Sequence, residues 1–302
     1  LKTGHSLAST LNLRYLTDLT ETYGPDNPSF LPVYDLLQRH QVGRLLKDRG
    51  YTYVHIGAWW DPTQTNHQAD VNLGYERRSD FELAFWHTTM LSEATADRRE
   101  KSADQRRRVT YRGAKAQFRQ VRSAVDRPGP TFTFAHILLP HQPFVFDRRG
   151  RYVSLKRDGR RGHERGYIEQ LEYTNDQIRL LLDDLLDVPA DQQPIVVLQA
   201  DEGPHPLSFL QFTRQAPEDR YRWDRITTAE LREKFRILSA YYLPGTGDPG
   251  PYPSISPVNT WRLIFDRYFG ADLPLLEDRS WIHRTHDHPY DFSDVTDRVR
   301  VP

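Results

Sequence analysis

The stretch 194–206, Pro-Ile-Val-Val-Leu-Gln-Ala-Asp-Glu-Gly-Pro-His-Pro, constrains this chain more than any other. Ile195 to Leu198 form a short continuous apolar run, the pattern of a strand buried on both faces in a parallel sheet. The run ends in two adjacent carboxylates, Asp201 and Glu202, and the chain then turns on Gly203 and Pro204. Ligands of open α/β sheets bind just beyond the carboxyl ends of the strands. A strand that delivers two acids to that edge is therefore a candidate metal-binding corner. A buried strand followed by a solvated acidic turn would read the same, so the rest of the chain has to decide.

The chain supplies an α/β context for that strand. A spacing compatible with an amphipathic helix covers 6–19, with Leu7, Leu11, Leu13, Leu16 and Leu19 as its apolar positions, and Thr3, Gly4 and Ser6 stand at its start. Unpaired N–H groups at a helix start favour anions. A second helical region spans 33–48 and stops at Gly50, and 51–56 alternates as a strand. The stretch 57–78, with Trp59, Trp60, His67 and Asp70, reads as a long surface loop. Helices are expected at 81–91 and 114–125, and the charged run 94–112 between them reads as exposed. The β-branched and aromatic residues of 131–139 predict a strand that ends in Pro140-His141-Gln142-Pro143. After a charged loop at 147–165, the apolar stripe Tyr167, Ile168, Leu171, Ile178, Leu181, Leu182 and Leu185 defines a helix over 164–186. Strand, helix and the opening strand form a β–α–β unit, which predicts a right-handed crossover into a parallel sheet. A helix at 228–234, a strand at 236–242 and a helix from Ser256 to Phe269, stopped by Gly270, complete the pattern. With no internal repeat and no low-complexity linker, the expected organisation is a single α/β domain over 1–302.

Composition removes several function classes. Forty-one basic and forty-one acidic residues cancel, which leaves no bulk electrostatic case for nucleic acid or an anionic membrane. The basic segments 98–112 and 148–165 lack interleaved aromatics and read as solvated loops or helix faces. There is no cysteine, which excludes disulfides, thiolate metal sites and a cysteine nucleophile. No apolar run reaches the roughly 18–20 residues of a membrane span, and no signal peptide is evident. Carboxylates, a hydroxyl and imidazoles make a hard-to-borderline donor set suited to Zn, Mn or Mg. Two further clusters have bland alternatives. His283, His286 and His288 with Asp287 read as an unliganded tail rather than a metal site, and Trp59 and Trp60 as core anchors rather than a sugar or headgroup platform.

Four stretches, taken in order, resemble the sulfatase-like branch of the alkaline phosphatase superfamily, nearest to membrane-anchored lipoteichoic acid synthases and phosphoethanolamine transferases. Lys2-Thr3-Gly4-His5-Ser6 resembles the nucleophile segment, in which a Thr opens a helix. Phe134-Ala-His-Ile-Leu-Leu-Pro-His141-Gln-Pro-Phe144 resembles a strand ending in His-x-Pro-Phe, and 167–186 the helix before the metal strand. Ile195 to Gly203 resembles that metal strand, which ends in Asp-His-Gly, and Ser256-Pro-Val-Asn259 matches a late helix start. The resemblance implies a three-layer αβα sandwich with a mostly parallel central sheet, alkaline phosphatase-like. It implies Thr3 as nucleophile and metal ligand, Asp201 as ligand of the same metal, and His141 as a contact to the oxygens of a phosphorylated or sulfated envelope substrate. Position 202, normally His, is Glu here, and His205 is a candidate compensating ligand. The family's first carboxylate ligand lies on a strand upstream of the nucleophile. The chain is thus expected to be a fragment lacking that strand and ligand, with its divalent metal weakened or missing. Upstream membrane helices and an extracytoplasmic location at a bacterial membrane are implied as well. Nothing near Thr3 fits the Cys/Ser-x-Pro-x-Arg signature of formylglycine sulfatases, so phosphoryl transfer ranks above sulfate-ester hydrolysis. A degenerate domain that binds an envelope ligand without turnover is the alternative.

Overall fold

The computed structural model describes residues 2–75, 96–245, 247 and 250–300. Internal contacts divide the chain into two compact units. The first joins Leu1–Arg44 to Ala190–Pro302, and the second is the continuous segment Leu45–Pro189. The expected helix at 81–91 lies outside the described residues.

The first limb of unit 1 carries α1 (Thr3–Leu11), α2 (Leu19–Tyr23) and α3 (Leu31–Gln38), followed by α4 (Gln41–Lys47) at the junction of the units. The predicted helix 6–19 is broken after Leu11, because Leu13 takes a positive φ of 57°, a conformation that no helix interior accepts. Asn12 secures the break: its Nδ2 donates to the Ala8 and Leu36 carbonyls at 2.8 and 3.1 Å, and its Oδ1 accepts from the Gln41 N–H at 3.2 Å.

Unit 2 is built on a three-stranded parallel sheet in the order β2–β1–β3: β1 (Thr52–Ile56), β2 (Val71–Leu73) and β3 (Thr131–Ala135). β2 falls in the stretch read as a loop. It is three residues long and half-exposed, too short to show a period. β3 ends at Ala135, four residues earlier than expected, because β1 reaches only Ile56 and a strand without a partner has no ladder to extend. The charged run read as exposed is the first half of a continuous helix, α5 (Ala96–Ser123). Its Arg107 is buried, donating to the Phe144 and Val153 carbonyls and pairing with Asp158 at 3.1 Å. The loop expected at 147–165 contains α6 (Leu155–Arg161), capped by the Ser154 hydroxyl. The clearest sequence helix is α7 (His163–Leu186), as predicted. Phe146 stacks on Tyr173 of α7 at 4.2 Å inside a small core with Ala114 and Val145.

Two histidines of unit 2 are held neutral in a polar chain. The Tyr53 hydroxyl lies 3.2 Å from His55 Nδ1, His55 Nε2 donates to the Thr63 carbonyl at 2.8 Å, and the Thr63 hydroxyl meets His136 Nδ1 at 2.6 Å. Burial, reinforced by the charges of His55 and His141, lowers His136 to about 4. A base depressed in this way stabilises the fold fully above its unfolded value of about 6.5, and that contribution is lost as pH falls from there toward 4. Urea unfolding of the wild type should therefore show about 3 kcal/mol less stability at pH 4 than at pH 7 from this group alone. His136→Gln should flatten the profile over that window, and an unchanged slope would remove His136 as its source.

The second limb of unit 1 carries β4 (Val196–Gln199), α8 (Leu207–Phe212), α9 (Thr228–Phe235), β5 (Ser239–Tyr242), α10 (Pro257–Phe269), β6 (Trp281–His283), β7 (Phe292–Asp294) and α11 (Thr296–Val299). β4 pairs antiparallel with β5, from Val196 opposite Tyr242 to Gln199 opposite Ser239. This corrects the expected crossover from β3, since among the described residues β5 is the hydrogen-bonded partner of β4. With one partner, β4 is half-buried along its whole length rather than covered on both faces. The His-bearing tail carries regular structure. β6 and β7 form an antiparallel ribbon, and His283 is buried. The core of unit 1 gathers Phe209, Tyr221, Trp223, Ile226, Leu231, Ile282 and Val295, each burial contributing about 1.5–3 kcal/mol. α1 packs on α3 and α10, so the first helix of the chain is held by residues from near its end.

Candidate active site

Thr3, Asp201 and Glu202 come together within unit 1. Thr3 is the first residue of α1, whose opening N–H groups have no partner inside the helix. Lys2 precedes it in extended conformation, with no side-chain capping bond at this helix start. Asp201 lies two residues past β4, with the Thr3 hydroxyl near enough to its carboxylate to lower its proton affinity. Burial raises the proton affinity of Asp201 above the usual carboxylate range, and the neighbouring charge of Glu202 adds to the effect, while the Thr3 hydroxyl opposes it.

Glu202 is shifted the other way. Burial pushes it up, but the charge and hydrogen bond of Lys234, together with other positive charges nearby, leave it below its ordinary value. The Lys234 ammonium donates to Glu202 Oε2 at 2.9 Å. Lys234 is 0 % exposed, and its Nζ lies 4.6 Å from the centre of the Trp223 ring, a cation–π contact. Gly203 makes this approach possible. Its N–H donates to the Lys234 carbonyl at 2.7 Å, and a Cβ there would stand 2.2 Å from the Glu233 carbonyl oxygen. Lys2 is a second cation in the same charge field. Burial lowers its pKa, while Glu218, 3.8 Å from its Nζ, and Glu202 raise it.

His205, the expected compensating ligand, packs its ring 4.6 Å from Phe209 and 6.1 Å from Trp223, and its charge is felt at Glu202. Among the described residues no three His, Asp or Glu side chains converge as a metal cage, so Asp201, Glu202 and His205 do not form one. The tail histidines are engaged in ring packing. His283 stacks with His5 at 5.2 Å, and His286 stacks on Phe30 at 4.6 Å. Burial holds His5 to about 3, so it is neutral at physiological pH.

His141 belongs to unit 2. It is exposed on a loop with Trp59 edge-on at 5.9 Å, and its Nδ1 donates to the Gln142 carbonyl at 2.6 Å, which leaves Nε2 as the acceptor. The loop is fixed from behind. Gln170 donates to the Pro140 and His141 carbonyls at 3.2 and 2.9 Å and accepts from the Val145 and Phe146 N–H groups. Arg107 and Arg161 both donate to the Phe144 carbonyl, at 2.7 and 2.6 Å.

Lys234 is the residue that the sequence reading missed. Its signal is a charge standing in an apolar stripe, since Leu231 and Lys234 are the buried residues of α9. The Thr227–Glu230 capping box marks where that helix starts.

The donor set suits a divalent metal in part. Asp201 and the Thr3 hydroxyl fit: both are hard oxygens, and a cation would relieve the charge that burial and Glu202 impose on Asp201. Glu202 does not fit in the same way, because its Oε2 already holds an ammonium.

A family model defines the class: a sulfatase-like hydrolase or transferase of the alkaline phosphatase superfamily. The chain belongs to the Sulfatase family, whose model matches residues 2–231, and its fold is the α/β fold of that family. No curated protein and no solved structure gave a significant match. The family generally uses a divalent metal. Among the described residues no helix is long and apolar enough to cross a membrane.

Proposed function

We propose that the chain transfers a phosphoryl group from a phosphodiester of the bacterial cell envelope, with Thr3 as nucleophile. The observation that carries this reading is the placement of the Thr3 hydroxyl, at the first residue of α1, beside the buried Asp201 carboxylate. Thr3 Oγ attacks phosphorus, its proton passes to Asp201, and one of the two ester bonds breaks, its alkoxide leaving with a proton from solvent; Thr3 then carries a phosphodiester that keeps the substrate's other ester group. Burial supports the proton step by raising the affinity of Asp201 for a proton. Water or an acceptor hydroxyl then attacks phosphorus, returning Thr3 as a free hydroxyl and closing the cycle as hydrolysis or transfer. The opening N–H groups of α1 and the Lys2 ammonium supply positive potential for the equatorial oxygens. Asp201 and Thr3 are the residues that would hold a divalent metal, which when bound would lower the hydroxyl pKa and polarise the phosphoryl group.

A phosphodiester is preferred to a sulfate ester because a threonine cannot become formylglycine and the chain has no cysteine. The test is an acid quench of the full chain during turnover of bis(p-nitrophenyl) phosphate with Mn²⁺, followed by peptide mass spectrometry. A p-nitrophenyl phosphoryl group on Thr3 is expected. Turnover with the label on another residue, or release of p-nitrophenol from p-nitrophenyl sulfate but not from the phosphodiester, would overturn the assignment.

A further inference from the structure

The Glu202–Lys234 pair has a structure of its own within the site, and the inference drawn from it rests on the metal reading above. Lys234 is held from both ends. Its ammonium sits between Glu202 Oε2 at 2.9 Å and the Trp223 ring at 4.6 Å, and its carbonyl accepts from Gly203 N–H at 2.7 Å. The side chain has no exposed surface, and Trp223 is also 0 % exposed. An ammonium so fully removed from water is tolerated only when a paired carboxylate and an aromatic face offset the lost hydration. A metal approaching Glu202 would have to share that carboxylate with a like charge that has nowhere to retreat. Asp201, one residue away, instead faces the Thr3 hydroxyl.

We propose that Lys234 is the built-in cation of this corner. It keeps Glu202 as an ion-pair partner, so that a divalent metal is bound from the Asp201 and Thr3 side without Glu202 as a ligand. Lys234 is thereby a specificity-determining residue for the metal, although it touches neither metal nor substrate.

Calorimetric titration of the full chain with Mn²⁺ tests this without any turnover assay. Glu202→Gln should leave the affinity within about threefold of wild type, whereas Asp201→Asn should lower it by roughly tenfold or more. Lys234→Met should free Glu202 to ligate and raise the affinity about tenfold or more, a gain that disappears in the Lys234→Met/Glu202→Gln double variant. A loss in Glu202→Gln as large as that in Asp201→Asn overturns the proposal, as does a folded Lys234→Met with no gain. Should Lys234→Met fail to fold by circular dichroism, the comparison of Glu202→Gln with Asp201→Asn decides alone. Should wild type bind no Mn²⁺, the metal reading fails separately. Binding that appears only on Lys234→Met then supports the role of Lys234, and its absence there, or a Lys234→Met that also fails to fold, overturns it.

Discussion

Thr3→Ala should lower turnover of a model phosphodiester by roughly a thousandfold or more while leaving the fold intact. The two halves of that expectation have separate grounds. The chemical loss follows from removing the only atom on Thr3 that can form a bond to phosphorus, together with the proton donated to Asp201. The structural tolerance follows from the position of Thr3 at the first residue of α1, half-exposed, at a helix start where no side-chain capping bond is made. Alanine is also an excellent helix former. Thr3→Ser should retain a measurable fraction of the rate, since the hydroxyl is kept and only a methyl group is lost. Circular dichroism and thermal melts matching wild type, alongside the rate loss, complete the result. Wild-type-like turnover in Thr3→Ala would end the nucleophile assignment.

Gly203→Ala should be among the most destabilising single-methyl additions in unit 1. The new Cβ would meet the Glu233 carbonyl oxygen at 2.2 Å and the Lys234 carbonyl oxygen at 2.9 Å. Both are backbone atoms, and neither can rotate away as a side chain would. Relief requires the turn after Asp201 and Glu202 to withdraw from the end of α9, which breaks the Gly203–Lys234 hydrogen bond and pulls Glu202 off the ammonium. The expected cost is about 3 kcal/mol, read as a fall in melting temperature on the order of 5–10 °C. Catalysis should fall too, because Asp201 moves with the turn. A melt within one degree or so of wild type would show that the turn relaxes freely, and the close approach would lose its significance.

The sequence made some of this legible and hid the rest for identifiable reasons. β4 was found because a β-branched run between a proline and a Gly-Pro turn permits little else. Its partner was not, because apolar residues in a row do not distinguish a parallel neighbour from an antiparallel one. The long helix α7 was legible from its stripe, whereas the first half of α5 was hidden by arginines. Arg107 shows why: it faces inward to hold the Phe144 and Val153 carbonyls, a buried role that composition assigns to solvent. Thr3 and Asp201 lie nearly two hundred residues apart, and only the order of motifs suggested that they meet. Glu202 stood out as a departure from the family's usual His. Lys234 supplies the missing half, since a carboxylate cancelled by an ammonium leaves the corner with the net charge that a neutral imidazole would give. That compensation comes from a separate helix and has no local sequence signature beyond a lysine beside Leu231.

The division of unit 1 into two limbs has a consequence for how the protein is made. α1 leaves the ribosome before the whole of unit 2, yet its packing partner α10 and its neighbour Asp201 follow only after unit 2. The tie between Thr20 and the Tyr290 carbonyl, at 2.6 Å, closes almost the whole length of the chain. Unit 2, continuous from Leu45 to Pro189, has all its own contacts available as soon as it is synthesised. Thr3 therefore waits through the synthesis of unit 2 before Asp201 exists, and the two meet only when the closing limb arrives. A ribosome that stops early releases a chain with a complete middle and an unarmed threonine.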